Sequence, residues 1–153
     1  MSPLIKVCGM TEAENIRNVE LQGVDMIGFI FYPKSPRYLY QIPRYLPTLA
    51  KRVGVFVNET IETIVGLVED GVIDWVQLHG QEDEAYINEL KSKVSCPVIQ
   101  AFSVRTKEDV LRAMESYADY ILLDQGSGGT GRVFDWTLIC LLYTSPSPRD
   151  KRQ

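Results

Sequence analysis

The 153-residue sequence has one histidine, His79, and only three cysteines, and neither residue type is spaced like a metal-ligand set. Zinc sites need His and Cys side chains at short, regular spacing, so we expect no zinc site of this kind. An odd cysteine count without paired spacing also argues against a disulfide framework and favours a reducing, cytoplasmic location. The three cysteines are Cys8, Cys96 and Cys140.

Long apolar runs and basic clusters are scarce as well. No stretch approaches the ~20 apolar residues that cross a bilayer, and residues 1–6 do not have the basic and apolar regions of a signal peptide. The net charge is -4, which argues against nucleic acid as the main partner. A composition that is 45% hydrophobic and 24% charged is typical of one soluble globular domain.

What the sequence does contain is a series of short apolar runs at nearly regular intervals. Each run is almost continuously apolar and rich in Val, Ile or Phe, which is typical of parallel strands covered on both faces. The six predicted strands span residues 4–7, 26–31, 53–57, 75–78, 98–102 and 120–123.

The segments between these runs are predicted to be helices. The helix predicted between the second and third runs is the weakest, because Pro47 falls inside it. The predicted helix starts are a capping box of Thr11 with Glu14, a cap at Asn58 or Thr60, and a start at Thr106 with Asp109. The alternation indicates an α/β fold built from repeated βα units.

Two architectures fit this alternation: an open doubly wound sheet or a (β/α) barrel. An open sheet concentrates its site at one switch point, whereas a barrel uses the C-terminal ends of many strands. Cys8, Asn58, His79 and Asp124 lie at or just past four different strand ends, which favours the barrel. A complete barrel has eight units, so residues 1–140 are predicted to form an incomplete barrel of about six.

The composition changes abruptly near the end of the sequence. Pro146 and Pro148, flanked by Ser and followed by charged residues, disfavour regular structure. Residues 141–153 are therefore interpreted as a disordered, non-native tail, and we expect the fold to be truncated at its C-terminal side.

Two apolar runs end on a reactive side chain that is followed by glycine. Cys8 precedes Gly9, and Asp124 is followed by a glycine-rich segment, so one barrel rim would hold a thiol and a carboxyl, which are groups suited to acid–base chemistry. A thiol with an ordinary pKa of ~8.5 is only slightly ionised at pH 7. Lys6 lies two residues before Cys8 on the same side of the strand and offers a positive neighbour. Asp124 would need burial or a nearby anion to retain a proton.

Each of these residues also has an ordinary structural interpretation. A single cysteine in a strand is usually an inert core residue, and an Asp after an apolar run often caps a turn. Arg37 could be a solvated loop charge or an anion ligand, and His79 with Gln77 could belong to the site or to the scaffold. The run that contains Gly128 and Gly129 has no nucleotide-binding context.

In their order and spacing, several segments resemble the phosphoribosylanthranilate isomerase family of tryptophan biosynthesis. The resemblance covers roughly residues 4 to 138. The segments are Lys6-Val-Cys-Gly-Met-Thr11, Gly28-Phe-Ile-Phe-Tyr-Pro-Lys-Ser-Pro-Arg37, Val53-Gly-Val-Phe-Val-Asn58, Val76-Gln-Leu-His-Gly80, Gln100-Ala-Phe102, Leu122-Leu-Asp124, Gly128-Gly-Thr-Gly131 and Phe134-Asp-Trp136.

The resemblance implies a (β/α)8 barrel that isomerises N-(5-phosphoribosyl)anthranilate to 1-(2-carboxyphenylamino)-1-deoxyribulose 5-phosphate by an Amadori rearrangement, without a cofactor. It implies that Asp124 is the general acid, that Cys8 is the general base and that Arg37 holds the anthranilate carboxylate. The other residues expected to bind substrate are Lys6, Gln77, His79, Gly128 and Gly129. The expected partner is this small sugar phosphate, and neither nucleic acid nor a membrane is expected.

The family binds the sugar phosphate largely through loops after the seventh and eighth strands, which are absent here, so we expect this chain to be inactive. Two other readings stay open. One is a related sugar-phosphate barrel, either an epimerase, which would use His and carboxylate metal ligands, or indole-glycerol-phosphate synthase, which would use a lysine acid. The other is a non-catalytic partial barrel that serves as an interaction module. The sequence also leaves open fusion to, or association with, other tryptophan-pathway enzymes.

Overall fold

The computed structural model describes residues 4–124, and within them six strands form one parallel sheet. The sheet order follows the chain order, from β1 to β6. All six predicted strands are confirmed, with shifts of one or two residues at some ends. The strands are β1 Lys6–Cys8, β2 Met26–Ile30, β3 Lys51–Phe56, β4 Trp75–Leu78, β5 Val98–Ser103 and β6 Tyr120–Asp124.

The strand order decides between the two predicted architectures. A doubly wound sheet reverses its order at a switch point, whereas these strands follow one another without reversal. The sheet is also strongly curled. In a flat sheet β1 and β4 would lie roughly 14 Å apart at about 4.8 Å per strand, yet the Lys6 side chain on β1 donates a hydrogen bond to Gln77 on β4. The predicted incomplete barrel of the (β/α)8 type is confirmed over these six strands.

Four helices connect the strands, and their N-terminal caps test the predicted starts. They are α1 Ala13–Leu21, α2 Ile61–Glu69, α3 Glu84–Lys93 and α4 Lys107–Ala113. Thr60 and Thr106 are confirmed as caps, and Thr106 forms a full capping box with Asp109. The predicted box of Thr11 and Glu14 is wrong, because Glu12 takes the extended N-cap position and makes no side-chain cap bond.

The helix predicted between β2 and β3 is also wrong: residues 31–50 contain no helix. Pro43 and Pro47 disfavour helical hydrogen bonding there, and the buried Glu20 carboxylate of α1 fixes the segment instead. Glu20 accepts hydrogen bonds from the Tyr45 hydroxyl, from Leu49 N at 2.8 Å and from Ala50 N at 3.1 Å.

The two faces of the sheet bury different sets of side chains. One face packs on the helices, where Val76 and Leu78 of β4 contact Ile64 of α2 and Leu90 of α3. The other face lines the inside of the curl, and Met26, Val53 and Ile99 cluster there. Gln77 follows Val76 and precedes Leu78, so its side chain lies on the inner face. Within residues 4–124 no helix has the length and apolar character needed to span a membrane.

Candidate active site

The inner face of the curled sheet carries its reactive side chains at the C-terminal ends of the strands. Cys8 is the last residue of β1 and Asp124 the last residue of β6, and because all pairings are parallel these ends share one rim. The glycine opposite Cys8 in β2 makes room for the sulfur. A Cβ atom on Gly28 would lie 2.7 Å from Cys8 Sγ, far inside van der Waals contact.

Lys6 gives Cys8 a positively charged neighbour. The partly buried Lys6 ammonium donates to Gln77 Oε1, and Lys6 lies two residues before Cys8, on the same face of β1. Burial lowers the pKa of Lys6 below its ordinary value, while the charge and hydrogen bond of Cys8 oppose part of that shift. Thiol and ammonium therefore lie together on β1, linked to β4 through an amide.

Arg37 reaches the same rim from the segment that follows β2. Its Nη1 lies 3.4 Å from the Cys8 carbonyl oxygen. Gly9 has a φ of +86°, and a Cβ there would lie 2.7 Å from Arg37 Cδ, so only glycine allows both the turn and the approach of the arginine. The local sequence Cys8-Gly9 thus lets the guanidinium approach the backbone at the end of β1.

Asp124 has a partner directly after β4. His79 Nε2 lies 3.6 Å from Asp124 Oδ2, and both side chains keep about a third of their surface exposed, at 31% and 27%. His79 N donates to the Phe56 carbonyl oxygen at 2.9 Å, which holds the start of the loop after β4 against β3. The carboxyl therefore lies next to an imidazole and still has exposed surface at the rim.

Sequence reasoning missed Glu82, which organises the loops around His79. The buried Glu82 carboxylate accepts from Asn58 N at 2.7 Å and from Gly80 N at 2.8 Å, joining the loops after β3 and β4. Asn58 has a φ of +52°, and its side chain accepts from Gln81 N at 2.8 Å. The only sequence signal was an acidic residue three positions after His79 in a glycine-containing loop.

The structure therefore brings the predicted site residues into two groups that meet on β4. Lys6, Cys8, Arg37 and Gln77 form one group, and His79 with Asp124 forms the other. Gln77 on β4 and His79 directly after β4 face the same inner side of the sheet. One strand and its C-terminal end therefore contribute a residue to each group. The predicted positions Gly128 and Gly129 lie outside the described residues.

Two other features of the described chain lie apart from this rim. A cavity of about 230 Å³ lies on the outer side of the sheet between α3 and α4. Gln100, Phe102 and Ser116 contribute to its lining, and none of the predicted site residues does. Among residues 4–124 no three His, Cys, Asp or Glu side chains group as a metal site.

Comparison with known proteins gives one consistent family. Residues 5–146 match the N-(5'-phosphoribosyl)anthranilate (PRA) isomerase family. N-(5'-phosphoribosyl)anthranilate isomerase from Phocaeicola vulgatus is 42% identical over 141 residues, which cover 89% of this chain and 68% of that protein. The corresponding protein from Thermotoga neapolitana is 37% identical over 143 residues, covering 88% and 69%.

Solved structures give the same result. Phosphoribosyl anthranilate isomerase from Thermotoga maritima superposes with a TM-score of 0.78 at 35% identity, covering 90% of this chain and 70% of that one. Another structure of the enzyme, in complex with reduced 1-(o-carboxyphenylamino)-1-deoxyribulose 5-phosphate, superposes with a TM-score of 0.75 at 34% identity, covering 91% and 69%. This chain spans about two thirds of the length of these relatives. It belongs to the N-(5'-phosphoribosyl)anthranilate isomerase family.

Proposed function

We propose that this site isomerises N-(5'-phosphoribosyl)anthranilate to 1-(2-carboxyphenylamino)-1-deoxyribulose 5-phosphate, a step of tryptophan biosynthesis. The family membership supports the reaction, and the rim geometry supports the assignment of roles. The assignment depends on one observation: Cys8 and Asp124 end two strands at the same rim. Cys8 follows Lys6, which contacts Gln77 of β4, and Asp124 lies beside His79, which directly follows β4.

Arg37 binds the carboxylate of the anthranilate ring in this proposal. A guanidinium has five N–H donors in a plane and forms paired hydrogen bonds with a carboxylate. Nη1 of Arg37 is oriented by the Cys8 carbonyl oxygen, so the group is held beside the thiol before a ligand arrives. The anthranilate ring would then lie next to the sugar carbon on which Cys8 acts.

Asp124 acts first, as the general acid. It gives a proton to the furanose ring oxygen, the bond between that oxygen and C1 breaks, and the anthranilate nitrogen supplies its lone pair to form an iminium ion. The carboxylate left on Asp124 faces His79 at 3.6 Å, which can return a proton. A positioned proton transfer of this kind is worth about 10²–10⁴-fold in rate.

Cys8 acts second, as the general base. Its thiolate takes the proton from C2, and the electron pair of that bond forms the C1–C2 double bond of an enolamine while the iminium nitrogen is neutralised. Protonation at C1 and loss of the hydroxyl proton at C2 then give the ketone. The Lys6 ammonium supports this step because a positive neighbour stabilises the thiolate.

The proposed location is the cytoplasm, which the free thiols of Cys8 and Cys96 support. We propose the small sugar phosphate as the partner of this chain and no second enzyme of the pathway.

The proposed binding of the substrate at this site can be tested without measuring turnover. Reduced 1-(o-carboxyphenylamino)-1-deoxyribulose 5-phosphate, added to the purified chain, should protect Cys8 from alkylation by iodoacetamide in a saturable way. Arg37→Gln should weaken that protection at least tenfold, whereas Arg44→Gln, a change in the same connecting segment, should leave it unaltered. Protection that is absent at millimolar ligand, or that is equal in the two variants, would contradict the proposed site.

A further inference from the structure

Gln77 is an unusual residue for the position that it occupies. Its side chain is 2% exposed, and its register partners on the neighbouring strands are Val55 and Ile99, both apolar. A buried amide is costly unless it is hydrogen-bonded, and the Gln77 oxygen accepts from the Lys6 ammonium on β1. With so little exposed surface, Gln77 is poorly placed for direct contact with a substrate.

Lys6 needs such an acceptor to stay where it is. Its ammonium group lies in a partly buried position that disfavours its charge, since burial lowers the pKa of Lys6. A lysine has a flexible four-carbon stem and tends to extend its charged end into water when nothing holds it. The hydrogen bond to Gln77 fixes that end across the curl of the sheet, next to Cys8.

We propose that Gln77 is a positioning residue, which holds the Lys6 ammonium beside the Cys8 sulfur and so keeps that sulfur reactive. The inference deepens, and rests on, the proposed role of Cys8 as the base. Among residues 4–124, the charged or titratable side chains with contacts at this rim include Lys6 from β1, Arg37 from the segment after β2, His79 from the end of β4 and Asp124 from the end of β6. Lys6 shares the inner face of β1 with the Cys8 sulfur, whereas Arg37 donates to the Cys8 carbonyl oxygen and His79 lies beside Asp124.

The test measures the reactivity of a single thiol. In a Cys96→Ala, Cys140→Ala chain, Cys8 is the only cysteine left, and its alkylation by iodoacetamide is followed at pH 7. Gln77→Met removes the acceptor and keeps the length and volume of the side chain. Because a thiolate with a higher pKa is scarcer but more nucleophilic, we expect alkylation to slow about threefold to tenfold.

A matched control lies on the neighbouring strand. Gln100 of β5 is also buried, but it faces the helices and bonds to Glu82 O and to Ser116 Oγ. Gln100→Met makes the same chemical change and should leave Cys8 alkylation within twofold of the parent rate. Above about pH 10.5, where a thiol of ordinary pKa is almost fully ionised, the slowing caused by Gln77→Met should disappear, because the share of thiolate no longer limits the rate. Slowing that persists there would indicate altered access to the sulfur and would overturn the proposal.

A double-mutant cycle tests whether Gln77 affects the reactivity of Cys8 through Lys6. In a Lys6→Met chain, Gln77→Met should cause no further slowing, because the group that it positions is gone. If Gln77→Met does not fold by circular dichroism, Gln77→Asn retracts the amide by about one methylene and should slow alkylation in the same way. The proposal is overturned if the folded variant reacts at the parent rate, or if Gln77→Met acts equally with and without Lys6. None of these readouts needs turnover, so a chain that fails to isomerise its substrate leaves this test intact.

Discussion

His79 Nε2 lies 3.6 Å from Asp124 Oδ2, although His79 directly follows β4, Asp124 ends β6, and β5 lies between these two strands. A flat sheet would place those strand ends roughly 10 Å apart at about 4.8 Å per strand, so the contact depends on the curl. It joins the proposed acid to an imidazole that can hold the carboxyl in place and return its proton. His79 is the one histidine of the chain, so no other imidazole can substitute.

The first prediction concerns this pair. His79→Gln removes the imidazole and should lower kcat about tenfold, which is less than the 10²–10⁴-fold of a direct proton transfer because His79 acts through Asp124. The measurement uses an extended chain, in which this sequence is completed with the part of the Phocaeicola vulgatus relative beyond their matched region. In an Asp124→Ala background the same substitution should have almost no effect, and equal losses in both backgrounds would contradict the pairing.

The second prediction concerns the loops that carry His79. Glu82→Gln replaces one of two acceptor oxygens that face the N–H groups of Asn58 and Gly80, so it should lower the free energy of unfolding by about 2 kcal/mol. Urea denaturation of the 153-residue chain measures this. Glu89→Gln, which removes only an exposed ion pair with Lys93, should change stability by less than about 0.5 kcal/mol. Equal effects of the two variants would rule out that Glu82 stabilises the fold by joining these two loops.

The third prediction compares two glycines. A Cβ on Gly28 would meet Cys8 Sγ at 2.7 Å, so Gly28→Ala should displace the sulfur and slow Cys8 alkylation at least threefold. Gly66 lies in α2 and a Cβ there would meet nothing within 4 Å. Gly66→Ala should therefore leave alkylation unchanged and raise the unfolding free energy by about 0.5–1 kcal/mol, because alanine favours the helix. A Gly28→Ala chain that reacts like the parent would contradict the packing described here.

The fourth prediction is a pH dependence of stability that arises at Glu20. Burial raises the pKa of Glu20, but hydrogen bonds from Tyr45 and from the backbone N–H groups of Ala50, Leu49 and Thr48 outweigh it, so the pKa lies below its ordinary value. A lowered carboxyl pKa stabilises the fold above the ordinary value of about 4.3, and this contribution is lost as the pH falls through the lower, folded value.

Glu20→Gln should therefore reduce the loss of stability on acidification from pH 6 to pH 3, measured from urea midpoints at each pH. The matched control is Glu69→Gln at the end of α2, which should leave the slope of the parent almost unchanged. An acid-induced loss of the same size in the Glu20→Gln chain would show that this carboxylate does not supply the pH dependence.

Much of the fold could be predicted because the information is local. Runs such as residues 26–31 and 120–123 are apolar on both faces, and that pattern requires a covered parallel strand. The capping box of Thr106 and Asp109 likewise involves only neighbouring positions. The predicted capping box at Thr11 was wrong because α1 begins one residue later, with Glu12 as its N-cap. Which of two adjacent residues caps a helix depends on tertiary packing, and the local sequence does not determine it.

The parts that could not be predicted depend on contacts between distant elements. The segment at residues 31–50 is fixed by Glu20 of α1, and no local pattern indicates that contact. Cys8 and Asp124 were recognisable as strand-end residues, and Lys6 was recognisable as a neighbour of Cys8. The contact of Lys6 with Gln77 depends on how far the sheet curls. The hydrogen bonds of Glu82 depend on the loops after β3 and β4 lying next to each other in the fold.

The account as a whole depends on Cys8 and Asp124 acting on one sugar. The most direct measurement is the isomerase turnover of Cys8→Ala, Asp124→Ala and the double variant in the extended chain, followed by the fluorescence change of the anthranilate group. We predict that each single substitution lowers turnover at least 10²-fold, and that the double variant is little worse than the poorer single one. Near-parent turnover in either folded single variant, or in the double variant, would contradict the account.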